Sequence, residues 1–232
     1  MSKRIAIVQS SYIPWKGYFD LIRSVDHFVL FDDMQFTRRD WRSRNRIKTA
    51  QGLQWLSVPV EVKGKFHQRI CDTRIANPDW QGLHWRALHH AYARARYFER
   101  YRDAIETTYS TFAGEPSLSM VNRRLIEVLC PLLEIDTPIS WSMDLPQSEG
   151  KSERLLSLCQ ALGADEYLSG PAARDYLDES LFSAAGVQVV FADYDGYPEY
   201  PQEPGLFEHA VSALDLLFRT GPDAPRYMKR LA

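Results

Sequence analysis

The segment RIAIVQ at residues 4–9 is short, β-branched and followed by turn formers, the pattern of a buried strand. Residues 16–24 then place Tyr18, Phe19, Leu21 and Ile22 near helical spacing, and HFVLFDD at 27–33 is strand-like again, stopping at Asp32 and Asp33. Strand, loop, helix and strand in so short a stretch leave few folds open. Such a crossover joins parallel strands through a right-handed connection. The alternation returns near residue 136. TPISWSM, DEYLSG and VQVVFADY read as strands, while GKSERLLSLCQALGA (ending at Gly163), ARDYLDESLFSAAG and GLFEHAVSALDLLFRTG (stopped by Gly221 and Pro222) read as helices. Alternation at both ends predicts an α/β chain with a parallel sheet covered on both faces.

The middle differs. RNRIKTAQGLQWLSVPVEV predicts a β-hairpin turning near Gln51 and Gly52, and RICDTRIA a further strand. NPDWQGLHWRALHHAYARARYFERY predicts a helix with Asn77 as N-cap and Pro78 at its first position, running to about Thr111 with a break near Tyr97. SLSMVNRRLIEVLCPLLEI predicts another, capped by Ser117. The expected organisation is one domain over 1–232, with its core from about 1–35 and 136–232. The hairpin and a helical subdomain are inserted at about 36–135.

At 232 residues and 45% hydrophobic composition the chain can form a core unaided. The formal charge of -2 argues against bulk attraction to nucleic acid or an anionic membrane. No apolar run approaches the roughly 18 residues of a transmembrane helix, and Lys3 and Arg4 precede too short an apolar stretch for a signal peptide. Cys71, Cys130 and Cys159 are isolated and lack CxxC spacing, so reduced thiols and a cytoplasmic location are expected. The histidines give no HExxH, and His84, His89 and His90 are not spaced as metal ligands, so no metal site is expected. No cofactor is specified. The long central helices leave a homo-oligomer open.

Ligands of open parallel sheets bind at the carboxyl ends of the strands. The loop after the first strand lies there, ahead of a helix whose free N–H groups suit phosphate, and Gly17 would permit close backbone approach. There is no GxGxxG or GxxxxGK[ST], so the loop's residues read equally as structural braces or ligand contacts. Asp32 and Asp33 would bind a metal, orient a sugar hydroxyl or cap a turn, and strand alternation lets at most one of them face a cleft. RRDWRSRNRIK carries Arg38, Arg39, Arg42, Arg44, Arg46 and Lys48, with Trp41 able to stack a base or sugar ring. In a strand, Arg42, Arg44 and Arg46 would share one face. Single-stranded nucleic acid is the rival ligand for this run. YLSGP is not GxSxG, but Ser169 and Gly170 end a strand. Lys151, at a helix start, suits either a phosphate or plain surface charge.

Several spaced elements together resemble the WbqC-like proteins of bacteria, some of which lie in gene sets for O-antigen and other surface polysaccharides. VQSSYIPWKGYFDLI resembles the family's QPxYxPWxGYFxLI signature through Gln9, Tyr12, Pro14, Trp15, Gly17, Tyr18 and Phe19, with Ser10 in place of proline. WRSRNRIKT resembles WxxRNxI through Trp41, Arg44, Asn45 and Ile47. VDHFVLFDDMQF, KSERLLSLCQALGADEYLSG, YPEYPQ and VSALDLLF match later elements in order, although Pro171 and Ala172 stand where relatives often have a glycine-rich turn. The resemblance implies a Rossmann-like core. The HxGH-type motif of the related nucleotidyltransferase folds is missing, so adenylyl transfer by that route is not expected.

These readings combine into an expected enzyme of surface-glycan assembly, a transferase or ligase acting on a nucleotide-activated sugar. Its chemistry would be acyl or aminoacyl transfer or amide ligation. Asp32 or Asp33 would be the catalytic carboxylate. Gln9, Tyr12, Trp15, Gly17, Tyr18 and Trp41 would shape a pocket, and Arg44, Asn45 and Lys151 would hold phosphate or carboxylate. Ser169, Gly170 and Tyr200 would complete the wall. The alternatives are a non-catalytic sugar-nucleotide or partner-binding module and, third, a single-strand binder.

Overall fold

The computed structural model describes residues 2–202 and 205–231. The first unit is β1 (Arg4–Val8), α1 (Lys16–Arg23) and β2 (His27–Leu30). A hairpin of β3 (Arg44–Thr49) and β4 (Gly52–Ser57) follows, then helices α2 (Trp80–Tyr92), α3 (Phe98–Ser110) and α4 (Leu118–Leu132). The chain returns through β5 (Ile139–Trp141), α5 (Ser152–Ala161), β6 (Glu166–Ser169), α6 (Glu179–Ala184), β7 (Gln188–Phe191) and α7 (Ala213–Thr220).

Five strands form one sheet in the order β5-β2-β1-β6-β7, every neighbouring pair parallel. From β1 the sheet grows one way through β2 and β5 and the other way through β6 and β7. This is the Rossmann-like arrangement, with its switch point between β1 and β6. Alternation along β1 explains the two layers. Ile5 and Ile7 pack with Leu155, Leu158 and Phe182 of α5 and α6, while Ala6 faces Phe19, Leu125 and Leu129 of α1 and α4. Both faces are dry, so the strands read as apolar runs.

The β3–β4 hairpin is antiparallel, with Thr49 opposite Gly52 and a two-residue turn between them. Gly52 has φ +110°, which an L side chain rarely adopts. Ser117 caps α4 as expected, accepting from Met120 N. Four sequence expectations change. RICDTRIA makes only single bridges, Gln35 with Arg69 and Arg74 with Ser117 among them, because Arg69 and Asp72 fold into a local ion-paired turn. The second helix starts at Trp80, since Asn77 Oδ1 instead accepts Asp79 N (2.9 Å) in an Asx turn. The last helix starts at Ala213, capped by Ser212, with residues 205–212 in a loop. The stretch expected to be helical after β6 is split, because Asp178 caps Ser180 and Leu181 and starts α6 afresh.

Candidate functional site

The loop between β1 and α1 carries a strained residue. Ile13, β-branched, sits at φ +36°. Its neighbours explain how that shape persists. Asn45 Nδ2 donates to Tyr12 O (3.1 Å) and Ile13 O (2.8 Å), and Asn45 Oδ1 accepts Arg46 N (2.7 Å). Tyr12 N donates to Trp41 O (2.9 Å), and Ala213 N donates to Pro14 O (2.8 Å). Arg42 Nη1 donates to Ser11 Oγ (2.7 Å). Residues 41–45 and the loop after β1 are therefore one hydrogen-bonded unit, although far apart in sequence.

Between them lies a cleft of about 360 Å³. Its walls are aromatic, from Trp15, Tyr18 and Trp41. Ser11, Arg42 and Asn45 supply polar groups, and Val8, Pro14 and Ala210 complete the lining. Val8 is the last residue of β1, so the cleft opens at the carboxyl edge of the sheet beside the switch point. Trp15 is the N-cap of α1 but makes no side-chain cap, and the first turn holds no acidic residue. The positive end of this helix is thus left unneutralised by its own side chains. Arg42 Nε is buried without a hydrogen-bond partner, while its Nη2 lies 3.7 Å from Asp40 Oδ2.

Gly17 is required by close approach. A Cβ there would lie 2.3 Å from the Trp15 ring. The indole folds over α1 and rests against Tyr194 and Tyr197, with ring centroids at 5.4 and 5.7 Å. Tyr18 OH donates to Gln9 O (3.1 Å), which fixes the start of the loop. Behind Trp15, Lys16 is buried, donates to Pro198 O (3.0 Å) and lies 4.7 Å from the centre of the Tyr197 ring. Burial lowers its pKa to about 8. Asp20, one turn on, accepts from Tyr197 OH (2.6 Å), and burial raises its carboxyl to about 6.

The acidic pair sits elsewhere. β2 ends at Leu30, so strand alternation no longer applies to Asp32 and Asp33, and both turn inward. Asp32 Oδ1 accepts Ser10 N (2.8 Å) and Oδ2 accepts Ser119 Oγ. Burial raises its pKa while these bonds pull the other way. Asp33 accepts Ser142 Oγ (2.5 Å) and pairs with Arg154. Neither borders the cleft. Tyr12 points away into the helices, where its hydroxyl bonds His84 Nδ1 and Tyr109 OH, each at 2.6 Å. Tyr200 donates to Asp215 Oδ2 (2.8 Å) in a buried network with Gln202 and Lys48 that ties the tyrosine–proline loop to α7 and β3. Ser169 is buried against Tyr167 OH (3.3 Å), Gly170 leads into a short 3-10 turn, and Lys151 is exposed at the start of α5. Arg44 lies over Trp55, 4.1 Å from the ring centre, and Arg46 also approaches that ring, while Arg42 turns to the cleft.

Of the residues singled out from sequence, the cleft gathers Trp15, Tyr18, Trp41 and Asn45, with Gly17 and Gln9 supporting them. Ser11 and Arg42 were not assigned from sequence. Their signal was adjacency to the two motifs, and the loop's return onto residues 41–45 is what reveals it. Among the described residues, no three His, Cys, Asp or Glu side chains converge as a metal site requires, and no helix is long and apolar enough to cross a membrane.

A Rossmann-like parallel sheet, an inserted hairpin and helices, and a cleft at the end of the first strand define a class of α/β protein. The chain belongs to the WbqC-like protein family, whose model matches residues 9–227. It is 52% identical over 227 residues to an uncharacterized protein of Mycobacterium tuberculosis, the match covering 98% of each chain. No solved structure matches the chain.

Proposed function

We propose that the cleft binds a nucleotide-activated sugar for acyl or aminoacyl transfer or amide ligation in surface-glycan assembly. The reading rests on one observation: an aromatic-walled cleft that brings Arg42 beside the uncapped start of α1. A guanidinium and the positive end of a helix suit phosphate oxygens, and flat aromatic walls suit rings. The unit is fixed by hydrogen bonds before any ligand arrives, so catalysis would act by positioning and charge stabilisation. Asp32 stands behind the loop, where it would orient it through Ser10 N, and Asp33 is held by Ser142 and Arg154; on ligand-induced opening either would serve as a base. The test is a thermal-shift panel of sugar nucleotides followed by mass spectrometry for acylated or amidated products. A ligand at a hundredfold excess over its Kd adds about 2.7 kcal/mol of stability. A selective shift that disappears in Arg42→Ala and Trp15→Ala supports the site, and unchanged turnover in Asp33→Asn removes the base role.

A second reading is a non-catalytic sugar-nucleotide module. It is favoured by the absence of any carboxylate or imidazole from the cleft lining among the described residues. It predicts the same shifts with no product.

A further inference from the structure

Trp55 on β4 and Trp41 in the turn that leads into β3 expose two neighbouring indoles. Trp41 is 40% and Trp55 44% accessible, their ring centroids lie 5.5 Å apart, and their planes are tilted by 35°. Two neighbouring exposed tryptophans are costly in water unless something covers them. The arginines around them differ. Arg46 is neutralised by Glu208 (3.6 Å) and donates to Ala210 O (3.1 Å). Arg44 has no carboxylate partner among the described residues, and its Nε is buried with no acceptor. This face is continuous with the cleft, because Trp41 belongs to both.

We propose that the Trp41–Trp55 face is the subsite for the base of a nucleoside diphosphate, whose phosphates enter the cleft between Arg42 and the first turn of α1. The proposal rests on the cleft being a nucleotide-sugar site and adds which end of the ligand goes where. A base has a π-face of either chemistry and stacks on indole with little regard to sequence. An unpaired guanidinium already lying on one of those indoles extends the stack and complements an anionic ligand. The sugar would then lie deeper, toward Trp15 and Tyr18.

The test uses the intact chain and titration calorimetry at fixed ionic strength. The probes are UDP, GDP, CDP, ADP and inorganic pyrophosphate, against wild type, Trp55→Ala, Trp55→Phe and Arg42→Ala. Trp55 is exposed enough that its variants should melt with the wild type, and this is checked first. The expected result is that Trp55→Ala weakens the best nucleoside diphosphate by about 5- to 150-fold. Pyrophosphate should stay within about twofold, Trp55→Phe should recover most of the loss, and Arg42→Ala should weaken both probes. Equal effects of Trp55→Ala on nucleoside diphosphate and pyrophosphate, or none on either, overturn the base subsite. If Arg42→Ala still abolishes nucleotide binding while Trp55→Ala does nothing, the cleft reading stands and the stacking face falls. If no nucleotide or pyrophosphate binds the wild type, both fall. Selective capture of a single-stranded oligonucleotide, lost steeply with salt, would also overturn the proposal.

Discussion

Replacing Asn45 with alanine removes one buried side chain that serves three backbone groups. Its amide donates to Tyr12 O and Ile13 O, at 3.1 and 2.8 Å, and its oxygen accepts Arg46 N at 2.7 Å. Asn45 is 2% exposed, so water replaces these partners poorly. Leaving a buried polar group unsatisfied costs about 1–3 kcal/mol. Three groups with partial relaxation give about 3–4 kcal/mol, and Ile13 at φ +36° gains a route to relax out of the native loop. That is a large share of the roughly 5–15 kcal/mol typical of a folded chain. Urea unfolding followed by circular dichroism measures it. The midpoint should fall with the slope unchanged. Asn45→Asp separates donors from packing, because aspartate keeps the acceptor for Arg46 N but faces two carbonyl oxygens with no proton to share. It should be nearly as damaging as alanine. An Asn45→Asp chain within about 1 kcal/mol of wild type would refute the idea that amide donation holds the loop.

Other outcomes follow from the same geometry. Gly17→Ala should displace the Trp15 indole, costing about 1–3 kcal/mol by overpacking and more than about tenfold in sugar-nucleotide affinity by calorimetry. Tyr12→Phe strips a partner from His84 and Tyr109. It should cost about 1–3 kcal/mol in a urea titration while leaving ligand affinity unchanged, whereas a weakened ligand would put Tyr12 back at the pocket wall. Asp20 titrates at about 6 in the fold against an ordinary 3.8, so the folded chain holds the extra proton. Its contribution is fully present below about pH 4, is lost as pH rises to about 6, and is flat above that. The wild-type stability minus that of Asp20→Asn should therefore fall by about 3 kcal/mol across that window and nowhere else.

The opening unit was legible because its signals are local. An apolar run, helical spacing and a second run specify β1, α1 and β2 with little help from the rest of the chain. Ser117 and the hairpin turn at Gly52 are local in the same sense. The last helix was not, because residues 205–212 are held in a loop partly by a distant strand: Arg46 Nε donates to Ala210 O and Ser212 N to Arg46 O. The acidic pair shows a different failure. Alternation holds only while a strand continues, and β2 stops before Asp32. At the site, Trp15, Tyr18 and Trp41 were readable as aromatics at a strand end. Asn45 was readable as a motif member, but its work on the backbone of Tyr12 and Ile13 depends on a dihedral angle that no residue pattern announces. Arg42 was one cation in a run of six until the loop placed Ser11 against it.

The pairing of two distant motifs has a physical basis. The loop after β1 belongs to the parallel core, yet its carbonyls at Tyr12 and Ile13 are satisfied by Asn45 from the inserted hairpin, and that of Pro14 by Ala213 N from the far end of the chain. The outer edge of β3 is closed in the same way, by Asn45 Oδ1 on Arg46 N, Tyr92 OH on Lys48 N and Ser212 N on Arg46 O. A hairpin that had only to pack could vary freely. One that also fixes a strained loop through three segments cannot, and the cleft it creates is shaped before a ligand enters. Such preorganisation spares the ordering cost of binding. It also assigns the burial of Lys16 a purpose. Lys16 donates to Pro198 O while Trp15 rests on Tyr194 and Tyr197, so the tyrosine–proline loop is anchored to the helix that forms one wall of the cleft.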